Sequence, residues 1–182
     1  LRSDYRRRLS QIRSWIDTLD TETGPCSAYT EPHHRMYEAV HDRSEAKLER
    51  LGRDFFRHLP EPFRLTTFSC GGRTLGWIIT VLDETTFHFF LGGQTYGAEA
   101  RRLYLAQLAT VVRMGIEAGA KRIDLGQTAG ISKSRMGCRP IELRMLGAHT
   151  SRVLNTLLRA AVGRLSYRDR YPVTHVFRSA AS

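Results

Sequence analysis

A mixed α/β (α+β) fold, with a mostly antiparallel central sheet flanked by helices, is what residues 63–144 predict. Three short runs rich in β-branched and aromatic residues come first, a long helical pattern follows, and a last apolar run ends at Asp124-Leu125-Gly126-Gln127. Hairpin-linked strands pair antiparallel, whereas a strand reached through a helix returns parallel, so the sheet should contain both kinds of pairing.

Strands at 63–70 and 74–82 are joined through Gly71-Gly72, a dipeptide whose free φ suits a two-residue primed turn. Asp83-Glu84 marks a second turn, and Thr-Thr-Phe-His-Phe-Phe-Leu at 85–91 is too rich in β-formers to be a loop. A three-strand meander follows. Tyr104, Leu108, Val111, Val112 and Gly115 then recur at helical spacing, which places a helix over 98–118, with Gly119 as its C-cap. A strand over 121–125 completes a right-handed crossover.

Ahead of this block, Tyr5, Leu9, Ile12 and Ile16 form one stripe of an amphipathic helix over 4–17, whose other face carries Arg6, Arg7, Arg8 and Arg13. Gly24-Pro25 makes 21–29 a loop. Pro32 opens a helix running to residue 40, and Asp42-x-x-Glu45 reads as a capping box for a third helix with the stripe Leu48, Leu51, Phe55 and Leu59, ended by Pro60 and Pro62. Beyond residue 138 the pattern predicts a strand at 139–147 and a helix at 151–163 with Val153, Leu154, Leu157, Leu158 and Ala161 inward. A short strand at 173–177 and a frayed end from Ser179 finish the chain.

The 182 residues, 41% of them hydrophobic, suffice for one well-buried core. No apolar run approaches the roughly 18 residues of a membrane span, so a soluble protein is expected. Lys and Arg number 28 against 18 Asp and Glu, and only Lys47, Lys121 and Lys133 are lysines. That balance suits an anionic partner, although no nucleic-acid module motif accompanies it. Cys26, Cys70 and Cys138 lack a C-x-x-C pair, which points to reduced thiols in a cytoplasm. Cys138 reads as a small buried hydrophobe before it reads as a nucleophile. His33, His34 and His41 lack ligand spacing and read as solvated helix residues, so no metal is expected. Serine-hydrolase elbows and Walker loops are absent.

The chemistry-bearing residues gather around the last strand of the meander and the two turns that follow. Gln94-Thr95-Tyr96-Gly97-Ala98-Glu99, with Arg101 and Arg102 one turn on, offers helix N-terminal amides and two guanidiniums to an anion such as a pyrophosphate. His88 is the side chain in the meander able to accept a proton near neutral pH. Asp124 and Gln127 stand at the end of the parallel strand, where open sheets place ligand groups.

Meander, glycine turn, long helix and parallel strand resemble the core of the GNAT acyltransferase fold, whose acyl-CoA turn reads Gln/Arg-x-x-Gly-x-Gly/Ala. Gln94 and Gly97 match it, and Glu99 stands where the pattern has a small residue. The chain further resembles the Fem-related branch, the acetyltransferase-6 or BioF2-like domains, at Tyr5-Arg6-Arg7-Arg8, Leu103-Tyr104-Leu105, Ala118-Gly119, Asp124-Leu125-Gly126-Gln127-Thr128 and Lys133-x-x-Met136-Gly137. Ser132 replaces the aromatic residue that precedes the lysine in Fem proteins.

The resemblance implies an N-acyltransferase that uses acyl-CoA as co-substrate and an amine acceptor, by direct attack in a ternary complex. It implies Lys133, Asp124 and His88 as catalytic groups. Gln94, Tyr96, Gly97, Ala98, Arg101 and Arg102 would hold the donor, and Gln127, Thr128 and Arg135 the substrate. The acyl chain is expected between 87–91 and 123–126. Residues 1–20 would be a connecting helix following an upstream domain, with 30–178 as a single acyltransferase domain. Two other readings stay open: an aminoacyl-tRNA or acyl-carrier-protein donor, and a non-catalytic binding domain. The oligomeric state is left open as well.

Overall fold

In the computed structural model, which describes residues 3–44, 49–127, 129–143, 146–165 and 176, five strands form one sheet in sequence order. They are β1 (Asp20–Pro25), β2 (Arg64–Cys70), β3 (Arg73–Asp83), β4 (Thr86–Gln94) and β5 (Arg122–Asp124). Strands β1 to β4 pair antiparallel and β5 joins β4 in parallel. The helices are α1 (Ser3–Ile16), α2 (Glu31–Arg43), α3 (Arg53–Arg57), α4 (Ala100–Glu117), α5 (Gly130–Ser134) and α6 (Arg152–Leu165). The chain divides into two compact units, Leu1–Thr128 and Ala129–Ser182, and each is described by itself.

The β2–β3 hairpin forms as its glycines demand: Cys70 pairs with Arg73, and Gly71 and Gly72 take φ values of 57° and 76°. The three-strand meander β2–β3–β4 forms as expected, and a fourth antiparallel strand lies on its edge. Residues 21–25 of the expected loop at 21–29 belong instead to β1, which lies along β2 with Asp20 opposite Ser69 and Pro25 opposite Arg64. A polar edge strand needs only one partner ladder, and its proline sits at the last residue, where a missing N–H is tolerated. Thr23 Oγ1 lies 2.9 Å from Thr66 Oγ1 and ties the edge to the next strand.

Two helical layers cover the sheet. On one face, Trp77, Ile79 and Leu65 pack with Tyr29, Met36, Tyr37 and Phe56 from the region of α2 and α3. Trp77 is fully buried, and its Nε1–H donates to the His33 carbonyl at 2.8 Å. Gly93 lies flat against that indole, because a Cβ there would stand 2.4 Å from Trp77 Nε1. Gly93→Ala therefore overpacks the core and is expected to cost about 1–3 kcal/mol, read as a lower midpoint in urea unfolding.

On the other face lies α4, with Leu103, Ala106, Leu108, Val111 and Gly115 inward. Tyr104 and Val112, expected in that stripe, are only half-buried, and the buried Gln107 takes a place the pattern did not reserve. Its Nε2 donates to the carbonyls of Gly93 (2.9 Å) and Trp77 (3.3 Å), which satisfies a polar group inside the core. The partner of α1 is α4: Ile12 and Ile16 pack on Ala106, and the Arg102 guanidinium lies 4.8 Å over the Trp15 ring.

Three further expectations are corrected. The third helix is a single turn, Arg53–Arg57, and α2 continues through Asp42 to Arg43, so Asp42 is not its cap; residues 45–48, which include Glu45 and Leu48, lie outside the described residues. No strand forms at 139–143 or 146–147. Helix α6 is present, but Val153, Leu154, Leu157 and Leu158 are exposed, Val153 to 71%. Periodicity identifies a helix's apolar face, while burial needs a second element laid against it. The strand expected at 173–177 lies outside the described residues apart from Val176, and residues 179–182 lie outside them too.

His33 is buried, contrary to the solvated reading. It sits in the first turn of α2, where Nδ1 accepts from the Thr30 amide (3.0 Å) and Nε2 lies 3.1 Å from Thr67 Oγ1. Burial lowers its pKa below the ordinary 6.5. The folded chain therefore resists the proton that the unfolded chain accepts. This contribution to stability is full above pH 6.5 and declines as the pH falls below it. The difference in melting temperature between the wild type and His33→Gln should accordingly shrink between pH 7.5 and pH 5, as followed by circular dichroism.

Candidate active site

The sheet opens where β4 and β5 part. Their pairing covers Thr86–Arg122, Phe87–Ile123 and His88–Asp124, after which β4 runs on to Gln94 while β5 stops. The opening thus starts at Phe89, later along the strands than the expected gap at 87–91. Gly126 sets the divergence. Its φ is 72°, and a Cβ on it would stand 3.2 Å from the Phe89 carbonyl oxygen, so only glycine follows this path comfortably.

Phe87 and Ile123 point toward α4, where a Cβ on Gly115 would meet both. Strand alternation then puts His88 and Asp124 on the opposite face, side by side. His88 Nδ1 lies 3.5 Å from Asp124 Oδ2, with the side chains 33% and 50% exposed. The other carboxylate oxygen, Oδ1, accepts the Gly126 amide at 2.8 Å. The Asp-x-Gly sequence is therefore a turn that holds a carboxylate against an imidazole, and among the described residues of this unit Asp124 faces His88 and not Arg122.

A register shift at Ile79/Thr80 shapes the same edge. Ile79 pairs with Leu91 and Thr80 with Phe89, which leaves Phe90 as the extra residue of a β-bulge. Beyond it, the Thr95 amide and hydroxyl both donate to the Leu75 carbonyl, at 2.8 and 3.0 Å, and so fasten the end of β4.

The turn into α4 borders a cavity of about 620 Å³ lined by Tyr96, Gly97, Ala98, Glu99 and Ala100, with Arg73 and Gly71 from the β2–β3 hairpin and Trp15 from α1. The first amides of a helix have no partner within it, which makes this rim a place for an anion. Arg102 is turned to Glu99 at 3.6 Å, which offsets the acidic side chain. Arg101 is exposed. Gln94 is buried on the other side, in a second depression of about 490 Å³, together with Arg35 and Arg43. The Arg43 guanidinium lies 4.1 Å over the Tyr96 ring. Burial raises the Tyr96 pKa, and Arg43 offsets part of that.

The structure therefore brings His88 and Asp124 together and gathers Gln94, Tyr96, Gly97 and Ala98 at the end of β4. Gln127 follows the Asp-x-Gly turn and is exposed, and Thr128 lies outside the described residues. In the second unit Lys133 is buried on α5 and Arg135 is exposed just after it. Burial pushes the Cys138 thiol upward, with Lys133 opposing, so the thiol stays protonated and is a poor nucleophile. Sequence reasoning missed Arg43 and Arg73, whose roles depend on which surfaces the fold brings beside the turn, and missed Phe90, whose bulge depends on strand register.

The family model for the acetyltransferase (GNAT) domain matches residues 1–131. The chain belongs to the GNAT acetyltransferase family. It is thus an acyltransferase, of a family that draws its acyl group from acyl-CoA. No curated protein matches the chain. Among solved structures, the GNAT domain is similar to an aminoglycoside acetyltransferase, meta-AAC0020, from an uncultured soil metagenomic sample in complex with sisomicin (9% identity, 74% of this chain and 97% of that one, TM-score 0.52). It is also similar to a possible acetyltransferase from Clostridium difficile 630 (4% identity, 74% and 99%, TM-score 0.53). A third is the aminoglycoside N-acetyltransferase AAC(6′)-Iy in complex with CoA (9% identity, 73% and 95%, TM-score 0.51). At such identities the likeness concerns the fold alone. Among the described residues no helix is long and apolar enough to cross a membrane.

Proposed function

We propose that this chain transfers an acyl group from acyl-CoA to an amine by direct attack, with donor and acceptor bound together. The observation that carries the reading is the His88–Asp124 pair at the point where β4 and β5 separate. The CoA thioester supplies an acyl carbon open to a nucleophile. With Nδ1 turned to the carboxylate, His88 keeps Nε2 to take the proton of the attacking amine; as the C–N bond forms the C–S bond breaks, and the departing CoA thiolate takes up a proton to leave as the free thiol. Asp124 orients the ring and is itself fixed by the Gly126 amide.

The donor is assigned to the edge of β4 beyond His88, which pairs with β3 alone among the described residues and suits the amides of an extended arm. Its phosphates are assigned to Gly97, Ala98 and the first turn of α4, with Arg73 and Arg101 as cations and Gln94 and Tyr96 bordering the turn. Arg102 serves indirectly, by pairing with Glu99. Membership of the Fem-related branch belongs to this reading, as do a substrate-facing Lys133 with Gln127 and Arg135 and a cytoplasmic setting. The order of the sequence blocks and the free Cys26, Cys70 and Cys138 support it. For Lys133→Ala the expectation is loss of turnover with folding intact.

Calorimetric titration with CoA and acetyl-CoA at two salt concentrations tests the donor assignment. Saturable micromolar binding that weakens with salt is expected. Arg73→Ala should weaken it about tenfold, since one hydrogen bond to a charged group is worth roughly 1.5 kcal/mol or more. No binding at either salt would overturn the donor assignment.

A further inference from the structure

Three phenylalanines form a surface beside the His88–Asp124 pair. Two residues on from His88 in the same strand, Phe90 lies on the sheet face opposite α4, the face that carries His88 and Asp124. There its ring meets Phe63 edge-on at 5.2 Å and lies nearly parallel to Phe55 at 6.5 Å and 26°. Phe55 in turn abuts the buried Phe56 at 5.4 Å. The rings are held on several sides, yet Phe90 is 38% and Phe55 42% exposed. A packed aromatic surface left open next to a reactive pair marks a place where something apolar binds.

We propose that the acceptor is an amine bearing a flat aromatic group, which stacks on Phe90 and Phe55 while its nitrogen reaches His88. This rests on the acyl-transfer reading above and adds the class of acceptor. Residues 88 and 90 of one strand are roughly 7 Å apart along it, the reach of an aryl ring joined to an amine by two carbons. Charge points the same way. A chain of formal net charge +10 repels a polycationic sugar such as an aminoglycoside, whereas a monoamine with a large apolar face loses little to that field and gains stacking.

The test compares 2-phenylethylamine, 2-cyclohexylethylamine and sisomicin as acceptors with acetyl-CoA, with amide product measured by mass spectrometry. The expected result is a three- to tenfold higher kcat/KM for the phenyl compound than for its saturated counterpart, and least product from sisomicin. Phe90→Leu, which keeps apolar bulk without a ring, and Phe55→Ala should each erase the phenyl preference. Equal rates for the first two amines, or preference for sisomicin, would overturn the proposal.

Saturation-transfer NMR of 2-phenylethylamine decides the matter independently of turnover. A signal in the wild type that is lost in Phe55→Ala supports the aromatic site, and its absence in the wild type refutes it. Calorimetry with acetyl-CoA shows separately whether the donor assignment holds. A failed donor assignment is thereby told apart from a wrong acceptor class.

Discussion

Replacing His88 with Gln is expected to lower kcat by roughly 10²-fold or more while leaving the affinity for acetyl-CoA unchanged, because general-base catalysis contributes on that scale. Glutamine keeps much of the volume and polarity of the imidazole but cannot accept a proton near neutral pH. Asp124→Asn tests the second half of the pair. The amide oxygen of Asn can still accept the Gly126 N–H, so the turn survives, while the charge facing Nδ1 is removed. Its effect should be smaller than that of His88→Gln, and the double variant should be hardly worse than His88→Gln alone, since the two residues act as a unit. Unchanged kcat in His88→Gln with a willing acceptor would remove the histidine from the mechanism.

Trp77→Ala should be the most damaging single substitution for folding. The indole is fully buried, lies edge-on to Tyr29 at 5.0 Å and Phe56 at 5.8 Å, and donates to the His33 carbonyl. Truncating a buried aromatic residue costs about 3–5 kcal/mol, and here a buried carbonyl also loses its donor. Against a total stability of about 5–15 kcal/mol this is a large share, and for a chain of this size it should lower the melting temperature by roughly 10 °C. Because Gly93 lies flat on the same ring, the loss should spread to the end of β4, and acetyl-CoA binding should weaken as well. A melting temperature within a degree or two of the wild type would show that the core does not depend on this ring.

Much of the fold was legible because its signals are local. Gly71-Gly72 fixed a hairpin, the stripe before Gly119 fixed α4, and together they implied the parallel return of β5. What escaped was decided by partners distant in sequence. Asp20 to Pro25 has no strand propensity of its own and becomes β1 only because β2 offers a free edge. His33 has the look of a surface helix residue, and its burial follows from Thr67 and Trp77 arriving from the sheet. At the site, the sequence pointed to His88 and Asp124 separately. That they meet depends on the register of a three-residue parallel ladder, which no pattern within either strand encodes.

The fork between β4 and β5 is made where one backbone passes another, Gly126 against the carbonyl of Phe89. The nearby side chains, Phe90 and the Phe55 ring packed on it, hang from the frame without making that backbone contact. If the fork receives the donor as proposed, selection or an engineer can exchange those side chains for others and change the acceptor while the backbone frame stays as it is.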